Sequence, residues 1–208
     1  MSESQSKKFN REEYVYLSKL YEKAERYPDM LKSINKMIEL NPILSKEECD
    51  ILSTGYKNMI TDKRSSWRIL NSMERREKKK KSQITQHIKE IKSHIENEIR
   101  EICNELQLLI DKYLIPNVND HENEVYFFKL KADYYRYICE FAEGKEKEEN
   151  LKSAEEFYKK AYNNSNKNLP VNNCTRVGLA LNYAIFLYEI KGEKKEAFEI
   201  AKKLLMKV

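Results

Sequence analysis

Lys57, Arg64 and Arg68 are the residues whose types and spacing first point to chemistry, since they recur at intervals of seven and four within one uninterrupted stretch, 56–68. At about 100° per residue they fall within roughly 40° of one another on a helix, and Tyr56, Ile60 and Trp67 occupy the adjoining arc. Lys129 and Arg136 form a second cationic pair, again seven apart, with Asp133 and Tyr137 beside them. Alone, either stripe reads most simply as a solvated helix face whose aliphatic stems cover the edge of a core. Facing each other across a bundle, the two describe a pocket for a compact dianion. Guanidinium groups hold phosphate through paired, charge-assisted hydrogen bonds, and a tyrosine hydroxyl adds a neutral donor to the same oxygens. A phosphorylated serine or threonine carries about −1.5 to −2 charges near neutral pH, which the unmodified residue lacks.

Catalytic templates find no foothold. The chain has no G-x-x-x-x-G-K-[ST], no G-x-S-x-G, no H-E-x-x-H and no carboxylate pair standing apart from lysines, so no enzyme, metal site or cofactor is expected. His87 and His94 share a helix face but lie about 10.5 Å apart along the axis, too far for one ion. Cys49, Cys103, Cys139 and Cys174 are scattered without a C-x-x-C and are expected to be buried, reduced thiols.

The elements that must position these groups are helices. Only four glycines and four prolines punctuate 208 residues, and no run alternates cleanly enough for a sheet. With 40% hydrophobic residues the chain can build a core, and an all-α, antiparallel bundle of about eight helices is predicted. The net charge of +5, from 39 basic and 34 acidic residues, lacks the one-sided excess of many nucleic-acid binders. The basic run 75–81 reads as a solvated helix end. No apolar run has transmembrane length and the first ten residues are polar, so no nucleic-acid or membrane partner is expected, and the location is cytoplasmic with the nucleus open to it.

In order, a flexible tail, 1–10, precedes a first helix marked by Tyr14, Leu17, Leu20, Tyr21 and Ala24 and interrupted at Pro28. A second helix runs from about Asp29 to Asn41-Pro42. Ser45-Lys46-Glu47-Glu48 is a capping box opening the third, which carries the first cationic stripe. A fourth starts near Ser82, a fifth covers about 122–143 and ends at Gly144, and a sixth is marked by Leu151, Ala154, Phe157, Tyr158 and Ala161 and ends in the polar run 163–168. The seventh, 175–190, is apolar almost all round and should be central, with Asn182 and Glu189 its polar exceptions. An eighth follows Lys191-Gly192.

The stretch 56–68, together with Asp133-Tyr134-Tyr135-Arg136-Tyr137, Gly178-Leu179-Ala180-Leu181-Asn182, Ala24-Glu25-Arg26-Tyr27 and Arg100-Glu101-Ile102-Cys103-Asn104, resembles the 14-3-3 family of phosphoserine/phosphothreonine-binding adaptors. The resemblance runs from about residue 12 to 208. It implies that Lys57, Arg64, Arg136 and Tyr137 hold the phosphate. Arg68, Lys129, Leu181, Asn182, Ile185 and Glu189 would line or support the peptide groove, Asn182 by bonding the ligand backbone. The resemblance further implies one domain, with a dimerisation half at about 11–115 and a groove half at about 121–208. The dimer, with a second copy or a paralogue, would set Leu20, Ala24, Arg26 and Asp29 of one protomer against Ser66, Ile91, His94 and Glu98 of the other. Ile91 and His94 depart from the tyrosine and lysine common in the family at those positions. The sequence ends at Val208, where the family continues into a ninth helix. Phosphorylated client proteins are the implied partners. Two alternatives stand beside this reading: a degenerate family member with weak or no phosphopeptide binding, and a tetratricopeptide-like scaffold, against which no 34-residue period is present.

Overall fold

The computed structural model describes residues 9–80 and 83–205, and every regular element among them is helical. The expectations for residues 1–8, for Lys81 and Ser82 and for the end of the chain at Val208 lie outside the described residues. The chain divides into two compact units, Met1–Asp62 and Lys63–Val208.

The first unit contains α1 (Arg11–Lys23), α2 (Tyr27–Leu40) and the first part of α3 (Lys46–Lys80). Asn10, expected in the tail, instead caps α1. Its side chain accepts from the Glu13 N–H at 2.9 Å while Glu13 accepts from the Asn10 N–H at 2.7 Å. Pro28 does not interrupt a helix but sits in the first turn of α2, where its missing N–H has no intrahelical role. The Ser45–Glu48 box forms as read, at 3.3 and 2.8 Å, and Glu48 also accepts from Arg11 at 2.5 Å. Met30, Ile34, Met37, Ile38, Leu52, Tyr56 and Ile60 are buried. Gly55 permits this packing, because a Cβ there would come within 2.9 Å of Leu31 Cδ2 and 3.0 Å of Ile34 Cδ1. Lys57 is exposed, as are Leu20, Ala24 and Arg26. Asp29 accepts from Arg26 Nε at 2.8 Å and pairs with Lys32 at 3.3 Å.

The second unit holds the rest of α3, α4 (Ile84–Leu109), a π-helical turn (Ile110–Leu114), a short 3-10 turn (Ile115–Asn117), α5 (His121–Cys139), α6 (Gly144–Asn168), α7 (Cys174–Ile185), a second π-helical turn (Phe186–Lys191) and α8 (Lys194–Leu205). α5 and α6 form its most extensive pairing. Gly144 opens α6 at φ +55° rather than merely ending α5, so α6 begins earlier than the apolar spacing predicts. Ala132, Ala154, Ala161 and Ala180 are buried with Tyr158, Leu179, Tyr183, Phe186 and Leu187. Small side chains allow α5, α6 and α7 to approach, and the Tyr158 ring fills the centre, stacked on Tyr183 at 5.3 Å and tilted on Phe186 at 5.1 Å.

Polar links join α3 to α4. Lys92 donates to Glu74 at 2.7 Å and to Asn71 at 2.9 Å, Lys63 to Glu98 at 2.6 Å, and the Trp67 indole N–H to Glu96 at 2.7 Å. Trp67, on the same arc as the buried Tyr56 and Ile60, is itself only half-buried, its indole N–H satisfied at the α4 surface. Cys49, Cys103 and Cys139 are buried as expected, but Cys174 opens α7 and is exposed. Burial pushes the Cys139 thiol up to about 11 and holds Cys103 higher still, so both stay protonated at neutral pH. Ser66, Ile91 and His94 are exposed, and His94 lies 3.8 Å from Glu98. Among the described residues no helix is long and apolar enough to cross a membrane, and no cluster of His, Cys, Asp or Glu has the makings of a metal site.

Candidate functional site

α3 and α5 bring their arginines to one place. Arg64 and Arg68 stand one turn apart on α3, so both reach the C-terminal end of α5, where Arg136 lies in the last turn and Glu140, four residues on, caps the helix. The meeting point is Glu140. Its carboxylate accepts from Arg64 through Nη2 and, at 3.3 Å, Nε, and from Arg68 Nη2 at 3.1 and 3.2 Å. It lies 3.9 Å from Arg136 Nη1. Tyr137 packs into the same cluster: the Arg64 guanidinium carbon is 3.8 Å from its ring centroid and that of Arg136 is 4.7 Å away. Only 16% of the Arg64 side chain and 9% of the Arg136 side chain are exposed, against 58% for Arg68. Arg64 and Arg136 are thus desolvated cations in which an oxyanion gains most, while Arg68 faces solvent.

A second carboxylate orders the groups one turn earlier. Asp133, buried, accepts from Tyr158 at 2.5 Å, from Lys129 at 2.8 Å and from Asn182 Nδ2 at 2.9 Å on both oxygens, and lies 3.7 Å from Arg136 Nη2. Arg136 Nε donates to the Tyr158 hydroxyl at 3.1 Å. Burial works against the Asp133 charge, but Lys129 and Arg136, with hydrogen bonds from Lys129 and Tyr158, outweigh it and hold the carboxyl below its ordinary pKa. Burial likewise disfavours the Arg136 cation, yet Tyr158 and Asp133 keep its pKa above the usual arginine value. Tyr137 is pushed up by burial and then by Asp133, so it keeps its proton and remains a donor.

Of the residues read from the sequence, Arg64, Arg68, Arg136 and Tyr137 form one cluster, and Lys129 and Asn182 join it through Asp133. Leu181 is 54% exposed. Ile185 and Glu189 line an open groove of about 340 Å³ with Tyr188, Lys194, Phe198 and Ala201, so α7 and α8 present an apolar face. Lys57 belongs to the Met1–Asp62 unit and is described there. Glu140 and Tyr158 were not foreseen. The four-residue spacing of Arg136 and Glu140 was the available signal for the first, but such pairs are ordinary on any solvated helix. Tyr158 looked like one more apolar position of α6.

Desolvated guanidiniums and a protonated tyrosine thus converge from two helices of the Lys63–Val208 unit, an all-helical arrangement whose chemistry suits an oxyanion. The family model described as 14-3-3 protein matches residues 17–208. The 14-3-3-like protein GF14 epsilon of Arabidopsis thaliana is 40% identical over 193 residues, covering 92% of this chain and 76% of that protein. The 14-3-3 protein beta/alpha of Homo sapiens is 40% identical over 194 residues, covering 93% and 78%. The chain belongs to the 14-3-3 family, which leaves the tetratricopeptide reading without support.

Proposed function

We propose that the chain is a phosphoserine/phosphothreonine-peptide-binding adaptor, acting without catalysis by occupying phosphorylated segments of client proteins. The observation that carries this is the convergence of Arg64 and Arg136, their side chains only 16% and 9% exposed, on the ring of Tyr137. Phosphate oxygens take the two guanidiniums and the phenol, Lys129 lines the same groove, Asn182 reaches the ligand backbone, and Leu181 and Ile185 meet its apolar side chains. Lys57 adds positive charge at the edge. Adaptor action is proposed in the cytoplasm or nucleus, through a homodimer or a heterodimer with a paralogue. In that dimer Leu20, Ala24, Arg26 and Asp29 of the dimerisation half meet Ser66, Ile91, His94 and Glu98, while the half from about residue 121 forms the groove. Leu20 and Ile91 support this as apolar side chains 42% and 52% exposed.

Fluorescence anisotropy tests the reading with an R-S-x-S-x-P peptide, phosphorylated or not at the second serine. Binding of the phosphorylated form alone, lost in Arg64→Ala and Arg136→Ala, is the expected result; equal binding of both forms overturns it. One observation favours a second reading, a family member with weak phosphate affinity: the arginines already hold Glu140. Failure of both peptides to bind at about 100 µM protein, roughly the weak end of specific recognition, is the outcome that selects it.

A further inference from the structure

Glu140 is a carboxylate already seated where a ligand anion must go. Its side chain is 13% exposed, and it engages Arg64 and Arg68 by hydrogen bonds while Arg136 stands at 3.9 Å. Resting on the phosphopeptide reading, we propose that Glu140 is the specificity-determining residue by which the site accepts a dianionic phosphate and rejects a monoanionic carboxylate.

An incoming carboxylate brings two oxygens and one charge. To reach Arg64 it must displace Glu140, which exchanges one arginine–carboxylate pair for another, or it must lie beside Glu140, which sets two like charges together at short range. Neither gives a net gain. A phosphate monoester brings three terminal oxygens and about −1.5 to −2 charges. It too is repelled by Glu140, but its greater charge and third oxygen let it offset that repulsion by drawing on Arg64, Arg136 and Tyr137 together while Glu140 retains Arg68, the exposed partner. Charge counting within the Lys63–Val208 unit agrees. Four cations, Arg64, Arg68, Arg136 and Lys129, face two carboxylates, Asp133 and Glu140, leaving two positive charges. A dianion neutralises that excess and a carboxylate leaves half of it. Without Glu140 the excess rises to three, and Arg64 stands open to either anion.

The test uses three labelled peptides that differ at one position, phosphoserine, glutamate or serine, with wild-type protein and Glu140→Gln. In the wild type the glutamate peptide should bind at least about 100-fold more weakly than the phosphoserine peptide. That figure is roughly two tenfold steps of affinity. Glu140→Gln should narrow the ratio at least about tenfold, mainly by tightening the glutamate peptide. Arg68→Leu, at an exposed position, gives the second arm. With Arg68 gone, Glu140 competes wholly for the remaining guanidiniums, so phosphoserine affinity falls and the ratio narrows from the other side. A ratio unchanged in both variants, or parallel weakening of both charged peptides in Glu140→Gln, overturns the proposal and leaves Glu140 a structural ion-pair partner. Failure of wild-type protein to bind the phosphoserine peptide sinks the phosphopeptide reading itself, and this inference with it.

Discussion

The Arg64 guanidinium carbon stands 3.8 Å from the centre of the Tyr137 ring, close enough for the ring face to attract the cation and to fix the plane in which its N–H groups point. Contacts of this kind contribute about 0.5–2 kcal/mol, the larger values where water is excluded. On the proposed phosphate-binding function Tyr137 has two parts to play, a platform through its ring and a donor through its hydroxyl.

Those parts separate by mutation. Tyr137→Phe keeps the platform and removes the donor, and phosphopeptide affinity should fall about tenfold, the usual worth of a hydrogen bond to a charged group. Tyr137→Leu removes both and should cost a further several-fold. Equal losses in the two variants, read by anisotropy titration, would mean that the ring contact contributes nothing.

Acidification should weaken binding through the ligand. The Asp133 carboxyl is held below its ordinary pKa and Arg136 above its own, so neither changes charge between pH 8 and 5. The phosphate monoester takes up its second proton near pH 6, losing one of the two charges that the site complements. Affinity should be steady above about pH 7 and decline through the ligand's own second pKa, measured on the free peptide by phosphorus NMR. A decline centred more than a unit away would point to a protein group instead.

Glu74 makes stability sensitive to acid. Hydrogen bonds from Lys78 and Lys92 bring its carboxyl from 4.5 down to about 2, and a carboxyl depressed on folding stabilises the native state above its unfolded pKa. That contribution is complete above pH 4.5 and is lost as pH falls toward about 2. Glu74→Gln should therefore lower stability at pH 7 by about 1–2 kcal/mol. Calorimetric melting curves of variant and wild type should converge as the pH is lowered through this window. Parallel curves at all pH values would remove Glu74 from the account.

Gly55→Val should destabilise the protein by about 1–3 kcal/mol although valine is the better helix former, since a Cβ at this position meets Leu31 and Ile34 at 2.9 and 3.0 Å. A urea midpoint lowered with unchanged slope is the expected signature. An unaltered midpoint would mean that Leu31 and Ile34 rotate aside without loss.

The helices were legible because their cause is local. Scarce glycine and proline, the Ser45–Glu48 cap and the spacing of Ile88, Ile99, Ile102 and Leu106 act within a few residues of where they stand. The π-helical turns at Ile110–Leu114 and Phe186–Lys191 left no such trace, since each replaces a helical turn without a breaker. The cationic stripes on α3 and α5 were visible as stripes, but what they converge upon was not. Glu140 acts across 76 residues from Arg64, and an ion pair at that separation is set by packing rather than by spacing. Trp67 and Cys174 ended nearer to water than their types suggest. An indole N–H needs an acceptor, and a helix's first turn faces outward however apolar the turns that follow.

Asp133 receives Lys129 from its own helix, Tyr158 from α6 and Asn182 from α7. The α7 amide, the α5 ammonium and the central ring of the core are therefore fastened to one carboxylate. These groups are costly to fray separately from the helices that carry them: local opening at any one leaves a buried carboxylate short of a partner, so they should exchange their backbone amide hydrogens in step and melt in a single event.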